Sequence, residues 1–337
     1  MAQRETLAAK NRAPQERWQD PGTLQDLMHR WVRAGRIPRH VQVIKDTSDF
    51  FQVKYNDILV LRDRPYLVGN TQKEGRFGLD DEPKFWVRRA IDLSDGSDKI
   101  IKMVFREKFQ VRIGTVTFDC VRSARKEARI LKTVRGHPRF MQGFAVQDAG
   151  GNTIRIIDYI HGKRLFDRIP VTGTDHEDYF AGHFPDILNE FIDLTRAIQF
   201  LHERREKHGD IRSDHLIHDR ETGQYRWIDF DYNYLHRENF FGYDLFGLGN
   251  ILAYITGRGD VTLRDLQQNN APALERLVPA DCNIIFNNRV MNLRKVYPYI
   301  PGALNQILLH FSLGTAVFYE NTAQFLADLE EVNHELR

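Results

Sequence analysis

The sequence lacks the features that would place it in several specialised classes. Only two of its 337 residues are cysteines, Cys120 and Cys282, and they fit no metal-binding spacing. So few thiols indicate a reducing compartment. No apolar run approaches the roughly 20 residues that span a bilayer, and the first residues lack the apolar core of a signal peptide. We therefore expect a cytoplasmic protein without a membrane span.

An excess of charge of either sign is also lacking. The 48 basic and 46 acidic residues leave a net charge of +2, which gives no reason to expect a nucleic-acid partner. The 42% apolar and 28% charged residues are typical of a soluble globular protein. The length is sufficient for two lobes or domains.

The first 62 residues match no motif and are predicted to form an N-terminal extension. Residues 1–20 are polar and favour a loose arm. An amphipathic helix should follow and end at Gly35, because apolar residues then recur at helical spacing. Short strands are expected over 41–61. This extension could bind a protein partner.

Strands dominate the next part of the chain. Phe85–Ile91 and the strand ending at Phe105 are joined by an Asp95-Gly96 turn. Lys102 lies within the second of these strands, on a face that is otherwise apolar, where a lysine is costly unless it meets an anion. A charged loop and a helix over about 121–134 should follow. We predict one domain over 63–160 and a mainly helical one over 161–337.

The most informative segment runs from residue 208 to residue 231. It contains His208-Gly209-Asp210-Ile211-Arg212-Ser213-Asp214-His215 and then Trp227-Ile228-Asp229-Phe230-Asp231. Two acids of this segment, Asp210 and Asp229, are 19 positions apart. This arrangement resembles the catalytic loop and metal-binding segment of the protein-kinase-like superfamily. The resemblance implies that Asp210 orients or deprotonates the attacking hydroxyl and that Asp229 holds the metal on ATP.

The resemblance continues as an ordered set of residues over about 66–256. Lys102 corresponds to the strand lysine that binds the ATP phosphates, and Glu127 to the helix glutamate that pairs with it. Asp158 and Ile160 lie in a hinge-like segment whose backbone would bind adenine. Other residues would act around the catalytic loop: Arg212 at the γ-phosphate, and His208 and Asp244 as its structural support. The implied α+β fold is bilobal, with an antiparallel-sheet N-lobe containing one key helix and a mainly helical C-lobe.

Two positions leave alternatives open. Gly75 and Gly78 resemble the second half of the phosphate-binding glycine loop, but they also fit a plain turn before a strand. His215 replaces the asparagine that ligates a second metal ion. It could ligate a metal and favour Mn over Mg, because imidazole is a nitrogen donor. It could instead hydrogen-bond Asp210 or phosphate, or it could mark lost catalysis.

The connection after the metal-binding segment is short. Only 12 residues, Tyr232–Tyr243, separate Asp231 from Asp244, and they contain no Ala-Pro-Glu anchor. Gly209 replaces the arginine that clamps an activation-loop phosphate in regulated protein kinases. Compact superfamily members with such connections act on sugars, aminoglycosides, choline, lipid headgroups or unusual protein targets. The Asp-Phe-Asp motif is similar to that of some bacterial sugar and lipopolysaccharide kinases, so we expect a bacterial protein.

Together the motifs predict an atypical ATP-dependent phosphotransferase. Its cofactors would be ATP and Mg or Mn, and its acceptor a hydroxyl that the sequence does not identify. Two alternatives stay open: a catalytically silent nucleotide-binding scaffold or regulatory protein, and nucleotidyl transfer.

Overall fold

The computed structural model describes residues 21–74, 82–113, 116–165, 169, 175–235, 239–269 and 271–336. The chain is of the α+β class, as the sequence predicts, and it divides into two compact units. The first unit runs to Phe105 and includes residues 131–135 and 142–159. The second unit holds residues 106–130, 136–141 and those from Ile160 onward.

The strands and helices of the described residues are named in chain order. The strands are β1 (Val43–Ile44), β2 (Ile58–Leu61), β3 (Arg64–Glu74), β4 (Glu82–Asp92), β5 (Asp98–Lys102), β6 (Lys108–Ile113), β7 (Val116–Arg122), β8 (Gly143–Gln147), β9 (Thr153–Asp158), β10 (Gly162–Arg164), β11 (Leu216–Asp219), β12 (Tyr225–Trp227) and β13 (Tyr232–Leu235). The helices are α1 (Pro21–Trp31), α2 (Ala124–Thr133), α3 (His176–Gly182), α4 (Phe184–Glu203), α5 (Gly242–Thr256), α6 (Leu263–Gln268), α7 (Gly302–Leu309) and α8 (Thr322–Glu335).

The first unit is built on a seven-stranded sheet in the order β1-β2-β3-β4-β5-β9-β8. β1 and β2 pair in parallel, and the other neighbouring strands are antiparallel. The short strands expected over 41–61 are therefore part of this sheet. The amphipathic helix is confirmed as α1, whose Leu24 and Met28 pack on Ile58 and Leu67.

The second unit contains most of the helices and two three-stranded sheets, ordered β10-β11-β12 and β13-β7-β6. Helix α4 is apolar on its buried face and packs against α8 and α5. The Trp227 side chain is fully buried, and its indole N–H donates to the Leu194 carbonyl of α4 at 3.0 Å. This contact fixes the end of β12, immediately before the segment of Asp229.

Two sequence expectations need correction in the second unit. Residues 108–113 and 116–122 form the paired strands β6 and β7 where a charged loop is expected, and α2 begins only at Ala124. Ser123 caps this helix, because its Oγ accepts from the Lys126 N–H at 3.2 Å. The apolar stretch from Leu304 to Phe318 favours a single helix in the sequence, but it is helical only to Leu309. Beyond it the backbone leaves the helix, since Leu313 N–H donates to the Cys282 carbonyl at 2.7 Å.

Strand β13 lies along β7 with Tyr232 opposite Arg122. A buried ion pair supports this pairing: the Arg122 Nη1 donates to Asp231 Oδ2 at 2.6 Å, and both side chains are at most 1% exposed. Burial acts to lower the pKa of Arg122, but the carboxylates of Asp231 and Asp229 outweigh it and raise the pKa above its usual value. Removing one partner of a buried pair typically costs about 3–5 kcal/mol, so this contact fixes β13 firmly.

None of the helices in the described ranges is both long enough and apolar enough to cross a membrane.

Candidate functional site

The loop that carries Asp210 is held from α5 by a buried carboxylate. Asp244 is fully buried near the start of α5 and accepts the backbone N–H of His208 at 2.7 Å and of Gly209 at 2.8 Å. The His202 side chain lies 3.0 Å from the same carboxylate. Burial acts to raise the pKa of Asp244, but the hydrogen bonds and the nearby histidines outweigh it and lower the pKa below its usual value. The carboxylate therefore stays ionised and keeps the loop in place.

His208 is a neutral part of this loop. Burial lowers the pKa of its imidazole to about 3. The Asp210 N–H donates to His208 Nδ1 at 3.3 Å, and the ring packs edge-on against Trp227 and Phe230. His208 Nε2 has no hydrogen-bond partner among the described residues. The ring is thus a packed support for the backbone of Asp210.

His215 lies beside both acids of the motif. Its Nδ1 is 2.8 Å from the Asp210 backbone carbonyl and 3.6 Å from the Asp210 carboxylate, and its Nε2 is 3.8 Å from Asp229 Oδ2. A carbonyl can only accept a hydrogen bond, so Nδ1 carries the proton in a neutral ring. The lone pair then sits on Nε2, on the side of Asp229. This is the tautomer in which a histidine can ligate a metal.

Asp229 lies in a carboxylate cluster that the sequence did not reveal. Its backbone adopts a left-handed φ of 65°, which is uncommon for a residue with a side chain. Ligand atoms of Glu127, Asp229 and Asp231 all lie within 4.8 Å of one another. Carboxylates this close favour a cation beside them, and Asp231 is already paired with Arg122. With the Nε2 lone pair of His215 beside Asp229, the donor set fits a divalent metal ion.

Lys126 was missed by sequence reasoning. Its side chain is buried at 3% exposure, and its Nζ donates to the carbonyls of His208, Phe230 and Tyr232 at 2.6, 3.0 and 2.5 Å. Burial lowers the pKa of Lys126 to about 8, although the nearby carboxylates, Asp244 first, act to raise it. In the sequence it lies between basic and acidic helix residues, with nothing to distinguish it from a surface lysine.

Arg212 forms a local ion pair. Its Nε donates to Asp214 Oδ1 at 2.9 Å and its Nη2 to Asp214 Oδ2 at 2.5 Å. Both side chains are partly exposed. The guanidinium that the resemblance assigns to the γ-phosphate therefore already holds a carboxylate bidentately, and a phosphate would have to compete with Asp214.

The remaining predicted residues are divided between the two units. Lys102 ends β5 in the first unit, where it is buried and lies opposite Val87 and Arg155 in the sheet register. Glu127 belongs to the second unit, so the pairing of Lys102 with Glu127 stays a prediction.

The hinge-like residues and the glycine loop complete the set. Asp158 ends β9, and its carboxylate accepts from Lys99 Nζ at 2.6 Å. The first unit ends at Tyr159 and the second resumes at Ile160. Gly75 and Gly78 lie outside the described residues. A nucleotide-binding role for these residues stays a prediction.

Comparisons with known proteins agree with the motifs. The chain is 25% identical over 173 residues to CBL-interacting protein kinase 33 of Oryza sativa subsp. japonica, which is 51% of this chain and 33% of that protein. It is 26% identical over 148 residues to a putative ribosomal protein S6 kinase alpha-2 of Caenorhabditis elegans, which is 43% of this chain and 17% of that protein. The chain thus spans a third or less of the length of these relatives. No protein-family profile matches it.

Among solved structures, the kinase domain of Mycobacterium tuberculosis PknI aligns with a TM-score of 0.45 and 11% sequence identity, over 79% of this chain and 95% of that chain. These sequence matches to protein kinases agree with the ordered motifs, which resemble those of the protein-kinase-like superfamily.

Gly209 is required by a close backbone approach. Its φ is +87°, and a Cβ at this position would lie 2.0 Å from the Tyr232 carbonyl oxygen and 3.0 Å from Lys126 Nζ. Gly209 stands at the position that an arginine occupies in regulated protein kinases. In this protein the position lies next to the β13 backbone, where there is no room for a side chain.

We predict that Gly209→Ala destabilises the protein far more than its backbone conformation alone requires. Gly223 is the matched control, since its φ is +70° and a Cβ there would meet nothing within 4 Å. Gly223→Ala should cost about 1 kcal/mol for the left-handed backbone, whereas Gly209→Ala adds the clash with Tyr232. Urea unfolding of both variants measures the difference. Equal losses would show that the Tyr232 backbone moves aside without cost.

We also predict a pH-dependent stability loss in Asp244→Asn. The amide keeps one acceptor oxygen, so one of the two loop N–H groups loses its partner, at a cost of about 1–3 kcal/mol. Because the folded pKa of Asp244 is lowered, its contribution is present above the unfolded pKa of about 3.9 and is lost as the pH falls below it. The deficit relative to wild type should be full between about pH 5 and 7 and shrink at about pH 3.

Urea unfolding at each pH measures this deficit. The titratable groups around the carboxylate include His202, His208, Lys126, Lys207, Tyr234 and Tyr243. Because these groups interact with the carboxylate, the test is confined to the change of the deficit between about pH 5 and pH 3, where an aspartate titrates. A deficit that does not vary with pH would contradict the ionised state of Asp244.

Proposed function

We propose that this protein is an atypical ATP-dependent phosphotransferase that transfers the γ-phosphoryl group to a hydroxyl. The observation that supports it best is the convergence of Asp210, His215 and Asp229 in the second unit. His215 lies 3.6 Å from the carboxylate of one acid and 3.8 Å from that of the other. The kinase relatives imply ATP and a divalent metal in general.

Each residue has a role that follows from its surroundings. Asp210 orients the acceptor hydroxyl and takes its proton late in the transfer. Asp229 holds the divalent cation together with His215, whose protonated Nδ1 is tied to the Asp210 carbonyl. A bound cation would supply neutralisation of phosphate charge. Lys102 is the proposed phosphate-binding lysine, with Glu127 as its partner.

The acceptor is proposed to be a small molecule, a sugar or lipid headgroup, or an unusual protein target. The short connection after Asp231 supports this, because its first residues, Tyr232–Leu235, are already used as strand β13 against β7. Only eight residues then remain before Asp244, too few for the segment on which protein kinases bind peptides. The relatives are named as protein kinases, so peptides belong in the acceptor panel.

A silent nucleotide-binding scaffold is the second candidate, and His215 is the observation that favours it. An imidazole replaces the amide that ligates the second metal in active kinases. The two candidates differ in turnover, since both predict that the protein binds nucleotide.

The first test measures binding and turnover in the same protein. With ATP and Mg or Mn at about 100 times the dissociation constant, the fold should gain about 2.7 kcal/mol, and the melting temperature should rise accordingly. Removing the metal with a chelator should reverse the metal-dependent part, as should Asp229→Asn. Asp210→Asn should keep the melting shift and lose turnover, because it acts on the acceptor.

The matched control is Asp193→Asn, a partly exposed acid of α4 in the second unit, which should change neither quantity. Phosphoryl transfer is followed with sugars, aminoglycosides, choline and unstructured peptides. No melting shift with any nucleotide and metal would overturn both candidates. A shift without turnover would leave the scaffold.

The second test concerns the metal preference that His215 confers. If Nε2 ligates the cation, turnover should be faster with Mn than with Mg, because nitrogen donors favour the softer ion. His215→Asn should shift the preference toward Mg while nucleotide binding is retained. Initial rates over a range of each metal measure this. If the wild type is inactive with both metals and His215→Asn gains turnover, the scaffold is correct and His215 is the residue that silences the site.

A further inference from the structure

The Lys126 ammonium lies where two functional segments meet. It donates to the carbonyl of His208, two residues before Asp210, and to that of Phe230, one residue after Asp229. Its third hydrogen bond is to Tyr232, the first residue of β13. One side chain therefore contacts the backbone of both acid-bearing segments.

Lysine side chains donate to the backbone of β13. Among the described strands, β13 is an edge strand that pairs with β7. Tyr232 and Tyr234 are alternate residues of this strand, and the carbonyl of each accepts from a lysine: Lys126 at 2.5 Å and Lys207 at 2.6 Å. An ammonium has three N–H donors, so Lys126 can satisfy its three carbonyls at once. Leaving a buried carbonyl without a donor is destabilising.

Further contacts fix the helix that carries this ammonium. Arg129, one turn along α2, binds the Glu206 carboxylate with two N–H groups, one of them at 2.9 Å. At the start of α2, the Ser123 N–H donates to the Asp231 carbonyl at 2.6 Å. The first turns of α2 are thereby joined to the chain before Asp210 and after Asp229. Lys126 lies between these two attachments and is the residue that binds both segments.

We propose that Lys126 is a positioning residue, which holds the loop of Asp210 and the segment of Asp229 at the separation that the reaction needs. Its effect on catalysis rests on the proposed phosphotransfer, while its effect on the two backbone segments does not. Lys126 touches neither substrate nor metal in this role. It acts through the carbonyls of His208 and Phe230.

The test compares Lys126→Met with Lys207→Met. Both remove a buried ammonium that bonds β13, but Lys207 bonds only Tyr234 and its charge otherwise faces the rings of Tyr234 and Phe240. Hydrogen exchange of the backbone amides is measured well below the melting temperature of each variant. Lys126→Met should speed exchange at least about tenfold both in the loop of Asp210 and in the segment of Asp229. Lys207→Met should affect β13 alone.

Turnover gives the second readout. A misplacement of about 1 Å can cost about 100-fold in rate, so Lys126→Met should lower kcat by about that factor and leave the KM for ATP within about threefold. Lys207→Met should keep kcat within about threefold of wild type. If Lys126→Met does not fold, Lys126→Gln replaces it, since its amide still donates but reaches fewer carbonyls. Lys126→Gln should change hydrogen exchange and kcat in the same directions as Lys126→Met, but by smaller factors.

The outcomes separate this proposal from the proposed function. If the wild type shows no turnover, phosphotransfer fails, and the exchange measurement alone decides the role of Lys126. If the wild type turns over and the two lysine variants show equal exchange and equal kcat, Lys126 is only a stabilising residue and the positioning role is wrong. Faster exchange in both segments with a selective loss of kcat would support it.

Discussion

The buried ion pair between Arg122 and Asp231 is the contact on which the candidate site depends. Asp231 is bound twice, by the Arg122 side chain at 2.6 Å and, through its carbonyl, by the Ser123 N–H at 2.6 Å. The strand that follows is thereby tied to the hairpin that precedes α2. Asp229, two residues earlier, has a left-handed backbone, and such a conformation persists only where its surroundings fix it. The pair and strand β13 provide that fixed surrounding.

Much of the framework could be predicted from the sequence, because it depends on local patterns. The long helix α4 has apolar residues at helical spacing along its length, and α1 has the same pattern. The Asp95-Gly96 turn was also predicted from the sequence. In the structure, Gly96 has a φ of +80° and lies between β4 and β5. The positions of Asp210 and Asp229 followed from motifs whose spacing needs no tertiary information.

The rest depended on contacts between distant parts of the chain. Lys126 lies in a helix with several basic residues, and only the carbonyls of residues 208, 230 and 232 make it different from them. The β6–β7 hairpin did leave a signal, because Phe109 and Val111, like Phe118 and Cys120, alternate with polar residues as in a half-buried strand. The charged residues Lys108, Arg112 and Asp119 favour a loop instead, but the apolar alternation corresponds to the strands that form.

The buried cations of this part of the second unit act on the protein backbone. Arg122 is paired with Asp231, and the three N–H groups of Lys126 are directed to the carbonyls of His208, Phe230 and Tyr232. Neither set of contacts requires a ligand, so the fold can hold the segments of Asp210 and Asp229 in place before a substrate binds. In the proposed phosphotransferase, a divalent cation beside Asp229 would then add positive charge without any change in these contacts.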